Sequence, residues 1–480
     1  MRRVFSHPLT ALVSGLLLRL AFVFKLPSTG GDTGLYETLA SNWVTHRVYG
    51  IPVNDVLTPV DLRMPGYPAY LALVQLLTRR SGEDARLFVM LGQVLVDLAA
   101  CLVIANLASR LAARAEAAPR AFTAALWLAV LCPFTANYTA VPLTESFAVL
   151  FTALALYVFV NMVKPGDQVV GSFRWARFAR PAEYLRSALF AGLCLGLGTL
   201  FRPETPLLLI AATPVILIVA FRRGQLARGV RGVAFCGVAL AVVLIPWTVR
   251  NALTLREFQP LTSKYTTMPG EVVPIGFMKW EATWLYRFRE VFLVPWKLND
   301  EAIDIETIPG RAFDSPEERQ HVAAILEQYN RDLSLTAEED AEFGAIAKAR
   351  TERHPLRTYV AVPLQRVVTL WFTPRIEQIP ISGDVFPLAH TWDTDRPDML
   401  ITIGLFFLNV FYLALALAGA LRLWFTAGTA RAAIVLFVFF VVLRTAFLTT
   451  VETPEPRYVL VCFPAVMALA AQVFARKSPV

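Results

Sequence analysis

Cysteine and histidine are scarce in this sequence, and neither residue type forms a recognisable site. Among 480 residues there are five cysteines and five histidines. The cysteines all fall inside apolar runs, and an odd number placed in this way is not a disulfide framework. The histidines lack the spacing of zinc ligands, and the motifs HExxH, GxSxG, GxGxxG and the P-loop are absent. Any chemistry must therefore be sought in other residues.

Charged residues are few as well. They make up 17% of the chain, whereas hydrophobic residues make up 56% and lie in long runs. A soluble protein has a lower apolar share, so the composition predicts a polytopic membrane protein. The net charge of +8 comes with basic residues in short loops between apolar runs. That pattern sets membrane orientation and does not indicate nucleic-acid binding.

Ten apolar segments could each cross a bilayer, which requires about 20 apolar residues per helix. Arginines cluster in the stretches 109–120, 164–185 and 222–231, on the same side as both termini, and this excess of Lys and Arg places that side in the cytoplasm. We therefore expect an all-α polytopic protein of the plasma (bacterial inner) membrane, with about ten or more transmembrane helices. The segments are 8–25, 86–108, 121–138, 143–163, 186–201, 204–221, 232–249, 399–424, 431–450 and 456–475.

The first outer loop, residues 26–85, contains two short segments that we predict to be helices at the membrane interface. The segment 34–48 carries Tyr36 and Trp43, which suit the interfacial aromatic belt. The segment 65–77 is apolar but short. If it crossed the membrane, every later arginine-rich loop would face outward, so we place it in the outer interface.

Residues 250–398 differ in charge from the rest of the chain. They hold 17 Lys and Arg against 23 Asp and Glu, a balance of −6, so the remainder of a chain with a total of +8 carries +14. We interpret 1–249 as an N-terminal transmembrane module, 250–398 as a mostly helical extracytoplasmic region and 399–480 as C-terminal transmembrane helices.

Three helices are predicted within this region. Ser315 before Pro316 is typical of one helix start, and Thr336 with Glu339 forms a capping box at the next. Residues 356–373 are predicted to form an amphipathic helix that lies along the outer membrane surface.

Asp32 and Glu145 are the candidate catalytic residues. Asp32 follows the first span within Gly30-Gly31-Asp32-Thr33-Gly34, and Glu145 begins the fourth. Asp32 could be the general base for an acceptor hydroxyl. The alternatives are that Asp32 caps the helix 34–48 and that Glu145 is an acidic first turn favoured by the helix dipole. Two carboxylates at outer span ends could also flank one reacting centre or share a divalent cation such as Mg²⁺ or Mn²⁺.

Five arginines at or near the outer boundary are candidate ligands for a lipid phosphate. Outer loops are expected to contain few arginines, and a guanidinium matches phosphate with a fork of donors. The alternative for each is pairing with Glu204, Glu452 or Glu455, or snorkelling to head groups. The five are Arg63, Arg202, Arg250, Arg444 and Arg457.

Asp97 lies near the middle of the second span, with Gln93 about one helical turn earlier on the same face. Intramembrane acids usually face the interior of the helix bundle. Asp97 could pair with Arg19 of the first span or could line a proton path.

Seven stretches together resemble the membrane glycosyltransferases of the C superfamily, above all the protein O-mannosyltransferases and the lipid A aminoarabinose transferase. Each stretch is short, but their order and membrane sidedness match over nearly the whole chain. They are GGDTGLYETLASNW (30–43), RMPGYPAYLALVQLL (63–77), PLTESFAVLFTALALYVF (142–159), LFRPETPLLL (200–209), PWTVRN (246–251), HPLRTYV (354–360) and EPRYVL (455–460).

The resemblance implies a polyprenyl-phosphate-linked sugar as donor and a glycan, lipid or protein hydroxyl as acceptor. It implies that Asp32 is the catalytic aspartate and that Glu145 stands at the family's second acidic position. Tyr36, within the first matching stretch, is a candidate substrate-binding residue. Arg63 stands near a basic residue that contacts the donor phosphate in relatives, although Met64 could occupy that position instead. Outer-face arginines or a divalent cation would stabilise the leaving phosphate.

The sequence therefore predicts a glycosyltransferase of the cell envelope whose active site faces outward. Two rival functions stay open. A transporter or flippase for a lipid-linked glycan would use the same arginines and would need no base. A non-catalytic scaffold or export subunit would tolerate replacement of Asp32 and Glu145.

Overall fold

The structure is a computed structural model that describes residues 7–164, 181–263, 265, 267–374, 377–451 and 453–475. The chain forms two compact units. The first comprises Met1–Ser263, Pro374–Leu443 and Leu460–Val480, and the second comprises Lys264–Thr373 and Arg444–Val459. Most of the predicted basic loop 164–185, Glu452 and the basic residues of both termini lie outside the described residues.

The N-terminal part of the first unit is helical except for one β-hairpin. Its elements are α1 (Pro8–Lys25), α2 (Thr33–His46), β1 (Gly50–Val53), β2 (Val56–Pro59), α3 (Gly66–Thr78), α4 (Glu83–Leu111), α5 (Ala118–Val130), α6 (Pro133–Ala136), α7 (Glu145–Val163), α8 (Pro181–Phe201), α9 (Leu207–Arg222) and α10 (Leu226–Thr254). The strands are antiparallel, with Gly50 opposite Pro59 and Val53 opposite Val56.

The remaining elements are also helical. They are α11 (Ile275–Ala282), α12 (Phe288–Val291), α13 (Pro316–Asp332), α14 (Ala337–Arg353), α15 (Val362–Phe372), α16 (Leu388–Thr394), α17 (Arg396–Thr426), α18 (Arg431–Thr449) and α19 (Phe463–Ala470). Short 3₁₀ turns occupy Ala115–Ala117, Asn137–Ala140, Pro295–Lys297, Ile305–Thr307, Gly310–Ala312, Gly428–Ala430, Pro456–Cys462 and Ala471–Val473, and a π-helical turn occupies Arg357–Ala361.

The all-α polytopic fold is confirmed. Within the described residues, eight helical segments are long and apolar enough to cross a membrane, and a ninth span is possible if one bent pair is counted. That pair is the predicted segment 121–138, which is bent by 52° between Val130 and Pro133. Proline has no N–H to continue the helix, so the break falls before it. The predicted segment 204–221 forms α9, a helix of 16 residues that contains Pro214.

A buried ion pair joins α1 and α4, and it confirms the structural pairing expected for Arg19 and Asp97. Arg19 Nε lies 2.6 Å from Asp97 Oδ2, and both residues are buried. The same guanidinium donates to the carbonyls of Gly15 at 2.9 Å and Val130 at 2.8 Å. Because the guanidinium donors of Arg19 are used within the bundle, Asp97 acts as a structural counter-charge to Arg19.

The second unit has its own apolar core, in which Trp280, Trp284 and Phe343 are fully buried. Helices α11 and α14 approach closely at Gly276, where an added Cβ would lie 1.8 Å from the carbonyl oxygen of Asp340. The predicted helix starts are confirmed. Ser315 accepts from the amide of Glu318, and Thr336 and Glu339 make the reciprocal bonds of a capping box.

The predicted amphipathic helix 356–373 is interrupted near its start. Helix α14 ends at Arg353, and its C-cap residue His354 is followed by Pro355. The chain then passes through the π-helical turn Arg357–Ala361 before α15 begins. Apolar side chains of this stretch remain exposed, among them Leu356, Leu364 and Val368. An exposed apolar stripe is what a helix at a membrane surface requires, and that location stays a prediction.

Candidate active site

The two predicted acidic segments meet in the first unit. The amide of Ser28 donates to the carbonyl of Ala140 at 3.1 Å, and Thr33 Oγ1 donates to the carbonyl of Pro142 at 3.3 Å. Gly30 lies so close to Leu143 that an added Cβ would be 2.7 Å from its Cδ1. These contacts hold the loop before α2 against the loop before α7, and therefore fix the backbone that carries the two candidate carboxylates.

Asp32 forms an ion pair with Arg63. Asp32 Oδ1 lies 2.6 Å from Arg63 Nη2, and the two side chains are 29% and 23% exposed. Asp32 stands at the N-cap position of α2, but its side chain makes no capping hydrogen bond. The carboxylate is therefore committed to a guanidinium and remains within reach of solvent, as a residue that meets a substrate must be.

Glu145 forms the second pair, with Arg202. Glu145 is the first residue of α7 and is only 3% exposed, and its Oε1 lies 2.5 Å from Arg202 Nη2. Arg202, which directly follows α8, also lies 3.6 Å from Glu204. The buried carboxylate thus orients a guanidinium that is itself partly accessible, and a charge-assisted bond of this kind fixes the guanidinium well.

Tyr36 links the two pairs. Burial raises the pKa of its phenol, the charge of Asp32 raises it further, and Arg63, Arg202 and Glu145 also act on it. The side chain therefore stays protonated and can donate a hydrogen bond at physiological pH. The contacts between the loop before α2 and the loop before α7 bring the two pairs to the same region as Tyr36, and Asp32, Arg63, Glu145 and Arg202 are called the charged cluster below.

An aromatic stack supports this cluster. Tyr36 packs edge-on against Tyr67 at 5.0 Å between ring centroids, and Phe147 stacks on Phe201 at 4.5 Å. Tyr67 and Phe147 complete the chain at 6.3 Å. Gly66 allows the close approach of α3, since an added Cβ would lie 2.5 Å from the carbonyl of Leu200. The stack joins the elements that carry Asp32, Arg63, Glu145 and Arg202.

Gln93 braces the same region from within α4, a role that its sequence position near Asp97 does not indicate. Its Oε1 accepts from Tyr67 Oη at 2.6 Å, and its Nε2 donates to the carbonyls of Tyr138 at 3.2 Å and Val141 at 2.8 Å. Tyr138 in turn donates to Glu377 at 2.6 Å. A glutamine inside an apolar span indicates that Gln93 has polar partners, but those partners are distant in sequence and could not be identified from it.

The β-hairpin positions Arg63, and its backbone carbonyls accept the hydrogen bonds of Arg250. Arg250 donates to the carbonyls of Val60 at 2.8 Å and Tyr49 at 2.5 Å. The hydroxyl of Tyr49 donates to the carbonyl of Arg63 at 2.8 Å. Arg250 therefore secures the hairpin backbone. The side chain of Met64 packs in the apolar cluster beneath the hairpin, so of the two neighbours it is Arg63 that carries its side chain into the charged cluster.

Asn54 and Asp55 form the hairpin turn, with positive φ angles of 48° and 63°. This is the two-residue turn that favours Asn and Asp. The hairpin was missed by the sequence analysis, although Asn-Asp between β-branched residues was the available signal.

Arg444 and Arg457 lie in the second unit. Arg444 is buried and donates to the carbonyl of Tyr458 at 3.2 Å. Arg457 lies 2.5 Å from Glu455, one of the partners considered from the sequence. Tyr458 also donates to Glu455. These contacts tie the end of α18 to the following turn.

The cluster does not have the composition of a metal site. Among the described residues, no group of three or more His, Cys, Asp or Glu side chains could hold a metal ion. Asp32 and Glu145 each have an arginine partner, and a cation would have to compete with both guanidiniums. The residues present do not fit Mg²⁺ or Mn²⁺ as they stand, and no step proposed below passes through a metal.

The fold and the site define a polytopic helical membrane protein with a paired-charge cluster at the ends of its membrane helices. Glu145 begins one candidate span, Arg202 follows another, and Asp32 lies just after the first.

Comparisons with solved structures find similar proteins at low sequence identity. This chain is similar to the Archaeoglobus fulgidus oligosaccharyltransferase in complex with zinc and sulfate, with 14% identity and a TM-score of 0.48 over 97% of this chain and 48% of that one. It is similar to ArnT from Cupriavidus metallidurans bound to undecaprenyl phosphate, with 14% identity and a TM-score of 0.42 over 97% of this chain and 77% of that one.

This chain therefore spans about half the length of the archaeal protein. No protein-family model matches it, and no curated protein matches it.

Proposed function

We propose that this protein is a membrane glycosyltransferase that moves a sugar from a polyprenyl-phosphate donor to an acceptor hydroxyl. The observation that carries the proposal is the single cluster in which two carboxylates, Asp32 and Glu145, are each paired with a guanidinium around Tyr36. Carboxylates can accept a proton and guanidiniums can bind phosphate, so the cluster contains both functions that the transfer needs.

Asp32 is the general base in this proposal. The acceptor hydroxyl loses its proton to Asp32 as its oxygen attacks the anomeric carbon. The bond between that carbon and the phosphate oxygen breaks, and the electron pair leaves with the polyprenyl phosphate. The partial exposure of Asp32 allows the hydroxyl to approach, whereas the buried Glu145 is inaccessible to it.

Arg63 and Arg202 bind the donor phosphate and stabilise the charge that develops on it. When the phosphate takes the guanidinium of Arg63, Asp32 loses its partner and becomes available to the acceptor. Binding of the donor thereby prepares the base. Glu145 keeps Arg202 oriented throughout, and the protonated Tyr36 remains neutral beside the two pairs.

The active site is proposed to face outward. The positive-inside rule places the arginine-rich loops in the cytoplasm, and the first loop then lies on the opposite side. Arg250 holds the hairpin, and Arg444 and Arg457 have their own partners in the second unit.

The proposal is tested with the purified chain in liposomes that contain a polyprenyl-phosphate sugar labelled in the sugar. A glycosyltransferase releases polyprenyl phosphate and moves the label to an added acceptor or to water. A flippase changes the leaflet in which the donor is found and leaves the donor intact. Intact donor after prolonged incubation with a panel of hydroxyl acceptors would rule out the transferase.

The requirement for a cation is tested in the same assay. We expect a chelator of divalent cations to leave transfer largely unchanged, because two guanidiniums already stand at the carboxylates. Loss of transfer on chelation, with recovery on addition of Mg²⁺ or Mn²⁺, would show that a cation supplies part of the positive charge.

A further inference from the structure

A polar cavity lies in the first unit, at the opposite end of α7 from Glu145. Its volume is about 210 Å³, and it lies between the C-terminal ends of α7 and α9 and the N-terminal ends of α8 and α10. A single water needs only roughly 10–15 Å³ by the same kind of measure, so the cavity accepts a group of several heavy atoms.

The polar lining is basic. Arg223 and Arg228 both line the cavity, together with Gln225 and Asn161, and none of the described residues that line it is acidic. The N-terminus of α10, a helix of 29 residues, begins at this wall. The free N–H groups of the first helical turn point out of the N-terminal end and favour an anion there. Two guanidiniums and a helix N-terminus therefore converge on one space.

The cavity is shaped by close packing. The guanidinium of Arg228 lies over the ring of Tyr184, with 4.6 Å from Cζ to the ring centroid. Gly232 makes room for that ring, since an added Cβ would lie 2.6 Å from its Cε1. Arg223 donates to the carbonyl of Val163 at 3.0 Å, which uses one of the five N–H donors of a guanidinium. Both arginines are thus oriented.

The cavity stands at the membrane boundary opposite the catalytic cluster. Helix α7 carries Glu145 at one end and Met162, a lining residue, near the other, which puts them roughly 25 Å apart along the helix. Helix α8 likewise has Tyr184 near its start and ends just before Arg202. That distance is close to the thickness of the hydrocarbon core, which is about 30 Å.

The geometry points to a binding site for a phosphate group, carried by the head group of an anionic phospholipid in the leaflet opposite the active site. Phosphate matches the two guanidiniums and the helix N-terminus. A lipid is favoured over a soluble phosphate because Met162, Ile216 and Val219 give the cavity an apolar wall, and because large apolar side chains such as Phe221 and Val230 are exposed beside it. Basic pockets between membrane helices on the cytoplasmic side suit such head groups.

The test uses the full-length protein in lipid nanodiscs and measures thermal stability and retained lipid by mass spectrometry. One set of nanodiscs contains only phosphatidylcholine, and the other contains added phosphatidylglycerol. The variant Arg223→Gln/Arg228→Gln removes the two lining charges. Its matched control is Arg222→Gln/Arg231→Gln, which removes two charges from the same loop and helix start that do not line the cavity.

We expect phosphatidylglycerol to stabilise the wild type and the control, and to bind the lining variant on the order of 30-fold more weakly. Equal losses in the two double variants would overturn the proposal, because the effect would then be general surface charge. Absence of any phosphatidylglycerol effect on the wild type would overturn it as well.

A further arm adds glycerol phosphate, which has the phosphate but no acyl chains, to the phosphatidylcholine nanodiscs. A weak effect supports the lipid as the source. Stabilisation equal to that by phosphatidylglycerol, lost in the lining variant, would keep the phosphate site but overturn its assignment to a lipid.

Discussion

Two arginine–carboxylate clusters in this protein use the same residue types in opposite ways. In the first unit, Asp32 and Arg63 form a pair that is open to solvent on both sides. In the second unit, Arg350 is fully buried and contacts both Asp314, at 3.1 Å, and Glu318, at 2.5 Å. The remaining donors of Arg350 are used by Thr283 and by the carbonyl of Arg311.

The difference lies in what each cluster leaves available. The second cluster is closed further by Arg353, which contacts both carboxylates, and by Arg357, which contacts Asp314. The first contains separate pairs, and a phosphate can take a guanidinium from a carboxylate. We infer that the first cluster serves chemistry and that the second serves folding.

The largest expected effect is on activity, from Asp32→Asn. This change removes the base, and general-base catalysis contributes about 10²–10⁴-fold to the rate, so transfer should fall by that factor while thermal stability changes little. The control is Asp55→Asn in the same loop, where the side chain is exposed and Asn tolerates the positive φ. Undiminished transfer by a folded Asp32→Asn protein would remove Asp32 from the mechanism.

The converse change is Arg350→Met, which should destabilise the protein without touching the proposed active site. It removes the one fully buried partner of both carboxylates, which keep Arg353 and Arg357, and should cost about 1–3 kcal/mol. Thermal unfolding and limited proteolysis of the second unit measure the effect. Arg319→Gln, which breaks an exposed pair with Glu306, is the control and should cost less than about 1 kcal/mol. Equal effects would show that burial is not what separates the two clusters.

Arg63→Gln sharpens the comparison from the side of the phosphate. We expect kcat/KM for the donor to fall by roughly 10–100-fold, since a hydrogen bond to a charged group is worth about 1.5–3 kcal/mol. Arg80→Gln, in the same outer loop but exposed, should leave kcat/KM unchanged. Normal kinetics of the Arg63→Gln protein would show that Arg63 does not bind the donor phosphate.

Acid should weaken the second cluster. Burial opposes ionisation of Asp314, but Arg357, Arg350 and Arg353 outweigh it, and the pKa of Asp314 in the folded protein lies below its usual value. The ionised carboxylate then contributes stability above the pKa of the unfolded chain, and this contribution is lost as the pH falls through the folded pKa. Unfolding of the wild type and Asp314→Asn at neutral and acidic pH should show a difference that shrinks in acid. A difference that grows in acid would contradict the assigned direction.

The smallest effect is expected at the capping box of α14. Thr336→Ala removes the side-chain acceptor for the amide of Glu339 and should cost about 1 kcal/mol, whereas Thr336→Ser keeps the acceptor. Chemical unfolding distinguishes the two. Similar losses for both variants would mean that the methyl group, and not the cap, is responsible.

Features with a local cause could be predicted from the sequence. The apolar runs predict the membrane helices, and Ser315 and Thr336 predict helix starts that the structure confirms. The predicted single span 121–138 contains Pro133, a local signal for the bend that the structure shows there.

Features that depend on distant partners could not be predicted. Asp32 was singled out for its position, but its pairing with Arg63 depends on the hairpin that Arg250 and Tyr49 hold in place. Glu145 and Arg202 meet because two long helices pack together. The contacts of Gln93 likewise join three separate segments, and no local pattern encodes them.

The most direct measurement is the sidedness of the first loop, because the proposed active site requires Asp32 to lie on the external face. The variant Asp55→Cys puts a thiol at the exposed hairpin turn, and the five native cysteines are all buried. A membrane-impermeant maleimide added to intact cells should label Asp55→Cys, whereas Arg222→Cys should be labelled only after the membrane is permeabilised. Labelling of Asp55→Cys only after permeabilisation would place the cluster in the cytoplasm and contradict the account.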